Sequence, residues 1–400
     1  MNTIAERIIA FNKGRLPEML ELKYKTMTES AFRFYRATCH LFYEDLAKVD
    51  NFPGSPLTWI CGDLHLENFG SFKGDNRLVY FDLDDFDEAI LAPCLWEISR
   101  MVTSMFVGFA DLPIYQRETL AMAKRFINHY ANTLATGKAV SIDPRTATGI
   151  VCSFLEKVGD RKQKELLKKR TLTQRGKIGL LAKYEKHKEV DITLKRELKE
   201  HIASWIKTSP LEKHGFKAID CVFRIAGTGS LGVKRYVFLL KRGDRKGKYL
   251  LLDMKQAIPS SLQPYVNIKQ PRWKNEADRV IQLKRRMQYM PPALLGTTLF
   301  KGDNYIVQEM QPEDDAIEFD AIKDCYKDVG RVIEDMAILA ASAQLRATGR
   351  QGSSIADELI RFGQNNTWHD ALLDYAEKYA QQVKRDYTQY LTDYESGKLG

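Results

Sequence analysis

The chain has 400 residues, of which 44% are hydrophobic and 28% are charged, a composition typical of globular proteins with room for two or three domains. Residues 1–20 carry several charges and no long apolar core, so we expect no secretory signal. No apolar run approaches the roughly 20 residues needed to cross a bilayer. The six scattered cysteines include no Cys-x-x-Cys pair, which argues against a disulfide framework or a zinc site. We therefore expect a cytoplasmic protein without a membrane partner.

The formal charge of +9 is distributed unevenly along the chain. Residues 161–190 contain 11 Lys or Arg against 3 Glu, so most of the excess lies in this basic segment. A solvated surface is the simpler interpretation, and a surface that attracts an anionic substrate or nucleic acid is the alternative. Apart from Tyr184 the segment lacks interleaved aromatic residues, which argues against stacking on nucleic-acid bases but leaves a nucleic-acid partner open.

The hydrophobic pattern switches repeatedly between helical and strand-like spacing. From the N-terminus it predicts helices over 1–57, two short strands over 58–89, helices over 95–210, three strands over 216–257, a helix at 273–289, a strand at 304–310, and helices at 318–346 and 368–392. This order predicts an α+β protein in three parts. A large, mostly helical lobe (1–210) is followed by a small β-rich lobe (211–310), and the last helices (311–400) return to the large lobe.

Two acidic motifs lie close together in the first part. They read CGDLHLENFG, residues 61–70, and VYFDLDDFDEA, residues 79–89. A phosphoryl transferase needs a carboxylate near the attacking hydroxyl, and oxygen ligands that hold Mg²⁺. The spacing assigns Asp63 as the catalytic base and Asn68 and Asp85 as metal ligands. Asp87 is a further candidate metal ligand, with Asp82 as another possible helper.

A glycine motif, GTGSLG, occupies residues 227–232 between two predicted strands. Strand–loop–strand context suits the glycine-rich lid of a kinase, in which backbone amides approach the phosphates of ATP. The lid residues would be Gly227, Gly229, Ser230 and Gly232. Lys255, at the end of a later strand, would bind the phosphates.

A partner for Lys255 is expected on the next helix. Glu276 follows Lys255 by 21 residues and lies on the helix predicted at 273–289. We therefore predict that Glu276 forms an ion pair with Lys255. Glu309, further downstream, is the alternative partner.

The acidic motifs resemble the HGDLHxxN…IDF signature of the aminoglycoside- and choline-kinase branch of the protein-kinase-like superfamily. Cys61 stands where that branch usually has His, and Glu97 of APCLWEISR stands where it usually has Asp. The resemblance implies a two-lobed kinase-like fold that uses ATP and Mg²⁺. In ordinary kinases the glycine loop precedes the catalytic loop, whereas here Asp63 precedes Gly227. A circular permutation, with residues 305–311 as the hinge, accounts for this order.

The chain also resembles a bacterial family catalogued as domain of unknown function 2252. The matching pieces include SAFRFYRAT, CGDLHLENFGSF, VYFDLDDFDEA and FRIAGTGSLGVKRYVFLL, and they extend from residue 30 to about 388. That family often has Asn at the position of Asp84. It also has an Ala-His-Ala-Arg-Ser-Gly stretch where this chain has ASAQLRATG, residues 341–349.

These motifs favour an ATP- and Mg²⁺-dependent phosphotransferase that acts on an unidentified hydroxyl group of a small-molecule or anionic acceptor. Transfer of the AMP moiety is possible on the same fold. One alternative is a nucleotide-binding module without catalysis that regulates a partner. Another is a phosphatase of the haloacid-dehalogenase type, with Asp82 as the nucleophile and Asp84 as the acid.

Overall fold

The computed structural model describes the chain in six segments, residues 3–160, 163–174, 177–182, 186–244, 247–310 and 316–399. These segments contain fourteen α-helices and twelve strands, which confirms the α+β class. The three-part division of the chain stays a prediction. No helix within the described segments is long and apolar enough to span a bilayer.

The chain begins with four short helices, as the sequence predicted. They are α1 (Ile4–Asn12), α2 (Pro17–Met27), α3 (Ala31–Ala37) and α4 (Cys39–Leu46). Thr3 and Glu6 form a capping box at the start of α1, and Ser30 caps α3 through the N–H of Arg33. These caps satisfy N–H groups that lack a helical partner, so they define where each helix starts.

Four strands follow, where the sequence predicted two. They are β1 (Leu57–Ile60), β2 (Phe69–Lys73), β3 (Val79–Leu83) and β4 (Ile90–Pro93). The pairing is nested, because β2 pairs with β3 while β1 pairs with β4, both antiparallel. Ile60 lies opposite Ile90, and Phe69 lies opposite Leu83. The loop 61–68 connects β1 to β2 and the loop 84–89 connects β3 to β4. Both loops therefore lie between the same ends of the two strand pairs.

The region predicted as helical over 95–210 is only partly helical. Its helices are α5 (Cys94–Gly108), α6 (Gln116–Thr136), α7 (Gly149–Asp160), α8 (Gln163–Arg170) and α9 (Ile192–Lys207). Within it, β5 (Thr171–Gln174) and β6 (Lys177–Leu180) form a hairpin, and β7 is a two-residue strand (His187–Lys188). The helical prediction was wrong here because Leu180 packs on the central sheet and its N–H donates to Asp220 at 2.7 Å.

The central sheet is antiparallel and has six strands. Besides β7 it contains β8 (Lys217–Arg224), β9 (Arg235–Lys241), β10 (Tyr249–Gln256), β11 (Gly296–Phe300) and β12 (Asp303–Glu309), in the order β11-β12-β10-β9-β8-β7. One face packs against α9 through Leu198, Ile202 and Ile206. Strand β11 was not predicted, since its Gly-Thr-Thr run carries little hydrophobic signal.

The remaining helices complete the main hydrophobic core. They are α10 (Glu276–Met287), α11 (Phe319–Ile322), α12 (Tyr326–Arg346), α13 (Ala356–Gln364) and α14 (His369–Glu395). Helix α13 was not predicted. The C-terminal helix α14 packs on α5 and reaches the N-terminal helices, where the Tyr390 hydroxyl donates to the Tyr24 carbonyl at 2.7 Å.

Candidate functional site

The two acidic loops of the site lie against each other at a glycine. Gly62 has a φ of 84°, a left-handed conformation that favours glycine. A Cβ atom at this position would lie 2.4 Å from the Glu88 carbonyl oxygen. Only glycine therefore lets the 61–68 loop approach the 84–89 loop so closely.

Asn68 joins the two loops through its side chain, which is almost completely buried. Its Nδ2 donates to the Asp63 carbonyl at 2.8 Å and to the Asp85 carbonyl at 3.3 Å, and its Oδ1 accepts from the Asp85 N–H at 2.8 Å. The predicted metal ligand is thus also the link that fixes Asp63 relative to Asp85. Its Oδ1 accepts one hydrogen bond, and an amide oxygen has a second lone pair.

Asp63 is held by an arginine that the sequence analysis did not single out. Its Oδ1 accepts from Arg100 Nε at 2.7 Å and lies 2.6 Å from Arg100 Nη2. Arg100 is fully buried on α5. Burial opposes its charge, but the Asp63 carboxylate outweighs that effect and the pKa of Arg100 is raised. Both of these Arg100 contacts are to Oδ1 of the carboxylate.

His65 lies beside the other oxygen of Asp63. Its Nε2 is 4.0 Å from Asp63 Oδ2, and its Nδ1 accepts from the Glu67 N–H at 3.1 Å. Burial is the main cause that lowers the pKa of His65 to about 3, so the ring is neutral at physiological pH. A neutral ring with Nδ1 as acceptor carries its proton on Nε2, toward Asp63.

Glu97 supports the start of the 61–68 loop from below. Its two oxygens accept from the Cys61 N–H at 2.7 Å and from Gln344 Nε2 at 2.6 Å. Burial raises the pKa of Glu97 to about 7. Gln344 belongs to the stretch in which this chain departs from the Ala-His-Ala-Arg-Ser-Gly pattern, and it also accepts from the Tyr130 hydroxyl at 2.6 Å.

Lys255 of β10 reaches across to the 84–89 loop. Its Nζ lies 3.3 Å from Asp85 Oδ2 and also contacts the Asp87 carboxylate. Desolvation would raise the pKa of Asp85, but Lys255 outweighs it and the pKa is lowered. For Asp87, desolvation together with the neighbouring Asp85 raises the pKa. One lysine thus bridges two carboxylates at the mouth of the site.

The expected ion pair between Lys255 and Glu276 does not form. Glu276, the first residue of α10, pairs instead with Arg279 on the same helix at 2.6 Å. Arg279 in turn donates to the carbonyls of Ala89 and Asp87 at 2.6 and 2.8 Å. Lys255 instead pairs with Asp85 and Asp87, which lie in the 84–89 loop. Helix α10 contacts that loop through Arg279.

The glycine loop 227–232 lies between β8 and β9, as predicted. Gly227 and Gly232 have φ values of 71° and 90°. A Cβ at Gly232 would lie 2.7 Å from the Cβ of Arg15, so the loop packs tightly on the turn between α1 and α2. Residues Gly227, Thr228 and Ser230 line the same cavities as Asp63 and Asp85.

Two adjoining cavities share these residues. The larger, which we call the site cavity, has a volume of about 500 Å³. Its basic lining residues are Arg33, Arg36, Lys186, Arg224 and Arg235. The smaller, which we call the inner cavity, has a volume of about 90 Å³ and reaches Asp87 and Glu88. Asp63, Asp85 and Arg36 line both, so they stand where the two cavities meet.

The donors that could hold Mg²⁺ are Asp85, Asp87 and Asn68. About half of the Asp85 side chain is exposed, at 49%. No three His, Cys, Asp or Glu side chains within the described segments form a ready-made metal cluster. The donor set suits Mg²⁺, because that ion commonly takes one or two protein carboxylates and completes its shell with water and substrate phosphates.

The residues of the phosphatase alternative are placed differently. Asp82 is 2% exposed, and its carboxylate accepts from the Leu83 and Tyr289 N–H groups at 2.9 and 3.2 Å and lies 3.3 Å from Arg346 Nη2. It therefore faces α12 and not the site cavity. Asp84 is exposed at the rim of that cavity. Asp82 lines neither the site cavity nor the inner cavity.

Comparison with known proteins adds one relationship. The model of a family described as an uncharacterized protein conserved in bacteria (DUF2252) matches residues 15–393. No curated protein and no solved structure matches the chain. The matched span contains both acidic loops, the glycine loop and Lys255.

Proposed function

We propose that this chain, which belongs to the DUF2252 family, is an ATP- and Mg²⁺-dependent phosphotransferase that acts on a hydroxyl acceptor. The observation that carries the proposal is the convergence of three sequence-distant groups. Lys255 contacts Asp85 across 170 residues of sequence. The glycine loop lines two cavities together with Asp63 and Asp85, and a further small cavity together with Lys255. A base, metal donors, a phosphate-binding lysine and a glycine loop are the parts that phosphoryl transfer requires.

In this mechanism the acceptor hydroxyl lies against Oδ2 of Asp63, the oxygen beside His65 Nε2. Asp63 takes the proton, the acceptor oxygen bonds to the γ-phosphorus, and the bond from that phosphorus to the β-phosphate oxygen breaks, so ADP is the leaving group. Asp85, Asn68 and Asp87 would hold Mg²⁺, which would supply positive charge to neutralise the phosphate oxygens. Arg100 keeps Asp63 oriented throughout.

Lys255 has two states in this proposal. Without nucleotide its ammonium group bridges Asp85 and Asp87. When a phosphate enters, Lys255 moves to it and frees both carboxylates for the cation. Five basic residues line the site cavity and favour the polyphosphate, although Arg224 and Arg235 also pair with Asp253. A volume of about 500 Å³ lies within the range of small-molecule sites.

The proposed fold is a circularly permuted kinase-like one. Helices α3 and α4 lead into the Asp63 loop, the sheet with the glycine loop comes later in the chain, and β12 ends at Glu309 within the region predicted as the hinge. AMP transfer remains the closest chemical alternative, since the same residues would hold the nucleotide. A non-catalytic nucleotide-binding module is the other.

The decisive experiment supplies Mg²⁺ and ATP labelled separately at the α and γ phosphates, and follows each label into water, protein and small molecules. Release or transfer of the γ label supports phosphoryl transfer, whereas movement of the α label to an acceptor shows AMP transfer. A melting-temperature shift by Mg-ATP, weakened in Lys255→Met, reports binding separately. Binding without movement of either label would leave the regulatory module, and no binding at millimolar ATP would reject a nucleotide site.

A further inference from the structure

The glycine loop is attached to the N-terminal helices through its carbonyl groups. Arg15 Nη1 donates to the carbonyls of Gly229 and Leu231 at 2.6 and 2.8 Å. Lys23 Nζ donates to the Gly229 carbonyl at 2.8 Å and lies 3.4 Å from that of Thr228. Three carbonyls of the loop, those of Thr228, Gly229 and Leu231, are therefore held from one side.

A backbone contact extends this attachment. The Leu16 N–H donates to the Gly232 carbonyl at 3.0 Å. Arg15 and Leu16 form the turn between α1 and α2, and Lys23 lies on α2, so one short N-terminal unit makes all of these contacts. Lys23 is fully buried. Burial is the main cause that lowers its pKa, but the amine donates hydrogen bonds in either protonation state.

The direction of the carbonyls determines the direction of the amides. In a trans peptide the C=O and N–H groups of one unit point in opposite directions. The carbonyls of Thr228, Gly229 and Leu231 point to the N-terminal unit, so the N–H groups of Gly229, Ser230 and Gly232 point away from it. Donors on a carbonyl oxygen also polarise the N–H of the same peptide, which makes it a stronger donor.

From this geometry we infer that Arg15 and Lys23 are positioning residues that hold the glycine loop as a preformed anion-binding wall before any nucleotide arrives. The loop is then a fixed part of the cavity and not a lid that closes over the ligand. The inference rests on the proposed function for the identity of the anion, a polyphosphate. The held geometry itself does not depend on catalysis.

We call the contacts of Arg15 and Lys23 with the loop carbonyls the clamp. Hydrogen exchange in the full-length protein without nucleotide tests it. The reporters are two N–H groups with defined acceptors, Leu16 on Gly232 and Val233 on the Ser230 carbonyl at 3.0 Å. In Lys23→Met and Arg15→Gln we expect both amides to exchange at least about tenfold faster, because local opening no longer breaks the clamp contacts. The milder Arg15→Lys should lie between Arg15→Gln and the natural protein.

Matched controls separate the clamp from a general loss of N-terminal charge. Lys25→Met and Lys13→Gln remove exposed lysines from the same N-terminal unit and should leave both exchange rates unchanged. Exchange rates within twofold of the natural protein in folded Lys23→Met and Arg15→Gln would overturn the inference.

A second measurement keeps this inference apart from the proposed function. Tripolyphosphate and Mg-ATP should bind at least about fivefold more weakly to Lys23→Met, and the KM for ATP should rise with little change in kcat, as expected for lost uniform binding. Binding of tripolyphosphate without binding of Mg-ATP, together with faster exchange in the variants, would support the inference and reject the nucleotide, whereas no binding of either anion to the natural protein would overturn the anion-binding wall. A lower kcat at unchanged KM would contradict a role in anion positioning.

Discussion

The two sides of the site hold their carboxylates in different ways. Asp63 is bound by Arg100, which is fully buried and whose guanidinium also lies 4.3 Å from the Tyr35 ring. Asp85 is about half exposed and is held from across the cleft by Lys255. The Asp63 side is therefore built by the protein core, whereas the Asp85 side is a partly exposed ion pair, which in our proposal an incoming ligand replaces. The difference suggests which residue orients the acceptor and which one exchanges partners.

The largest expected effect comes from the Asp63 side. Asp63→Asn keeps the size of the side chain but removes the base, so turnover of γ-labelled ATP should fall about a hundredfold or more. ATP binding, measured by the melting-temperature shift, should persist because Asp85 and Lys255 remain. Asp50→Asn, in an exposed loop before β1, is the control. Nearly full turnover in Asp63→Asn would remove Asp63 from the chemistry.

On the Asp85 side, Asp85→Asn should impair Mg-ATP binding and turnover together. It removes charge from the proposed site for a hard cation, so the affinity for Mg-ATP should fall roughly tenfold, with partial recovery at high Mg²⁺. A titration of Mg²⁺ at fixed ATP measures this. If Asp85→Asn lowered turnover with no change in the Mg²⁺ dependence, Asp85 would have a role other than metal binding.

A smaller effect concerns Glu97, which binds the loop that carries Asp63, and the pH dependence of the protein's stability. The pKa of Glu97 is raised from 4.5 to about 7 in the folded protein, so the folded state binds this proton more tightly than the unfolded chain. The resulting stability is present below about pH 4.5 and is lost as the pH rises to 7. Glu97→Gln cannot titrate, so its stability relative to the natural protein should improve between pH 5 and 8 by about 1–3 kcal/mol.

Denaturant unfolding at pH 5 and pH 8 measures that change. Glu21→Gln, at an exposed position on α2, is the matched control and should show no such trend. Equal pH trends in Glu97→Gln and the natural protein would mean that Glu97 stays ionised despite its burial.

Much of this site could be located from the sequence, because its motifs are local. The spacing from Asp63 to Asn68 and the run of acids after β3 marked two loops, and the glycine motif between two strands marked a third. Nested strand pairing then brings the first two loops together. That pairing was not visible in the sequence, since it joins short strands whose individual patterns are weak.

The residues that hold the site were missed for a related reason. Arg100 and Arg279 act on partners that are 37 and 190 residues away. Their only local signal was helical spacing. Arg100 lies three residues after Glu97, and Arg279 lies three residues after Glu276, so each arginine is on the same helix face as that glutamate. The kinase-like pattern predicted Glu276 as the partner of Lys255. In the structure, Arg279 on the same helix instead binds the carbonyls of Ala89 and Asp87.

The smallest expected effect is at Asp84, and it separates the two chemistries most cleanly. The backbone of Asp84 is engaged, with its N–H on the Asn68 carbonyl at 3.1 Å and its carbonyl on Lys284 at 2.9 Å. Its carboxylate accepts no hydrogen bond from any residue in the described segments, and the family resembled by the sequence often has Asn there. Asp84→Asn should therefore leave Mg-ATP binding and turnover within about twofold of the natural protein, a change typical of a surface substitution. In a phosphatase that uses Asp82 and Asp84, the same change would remove the general acid and lower turnover about a hundredfold. An inactive Asp84→Asn beside an active Asp63→Asn would reverse the assignment, even though Asp82 lies buried against Arg346.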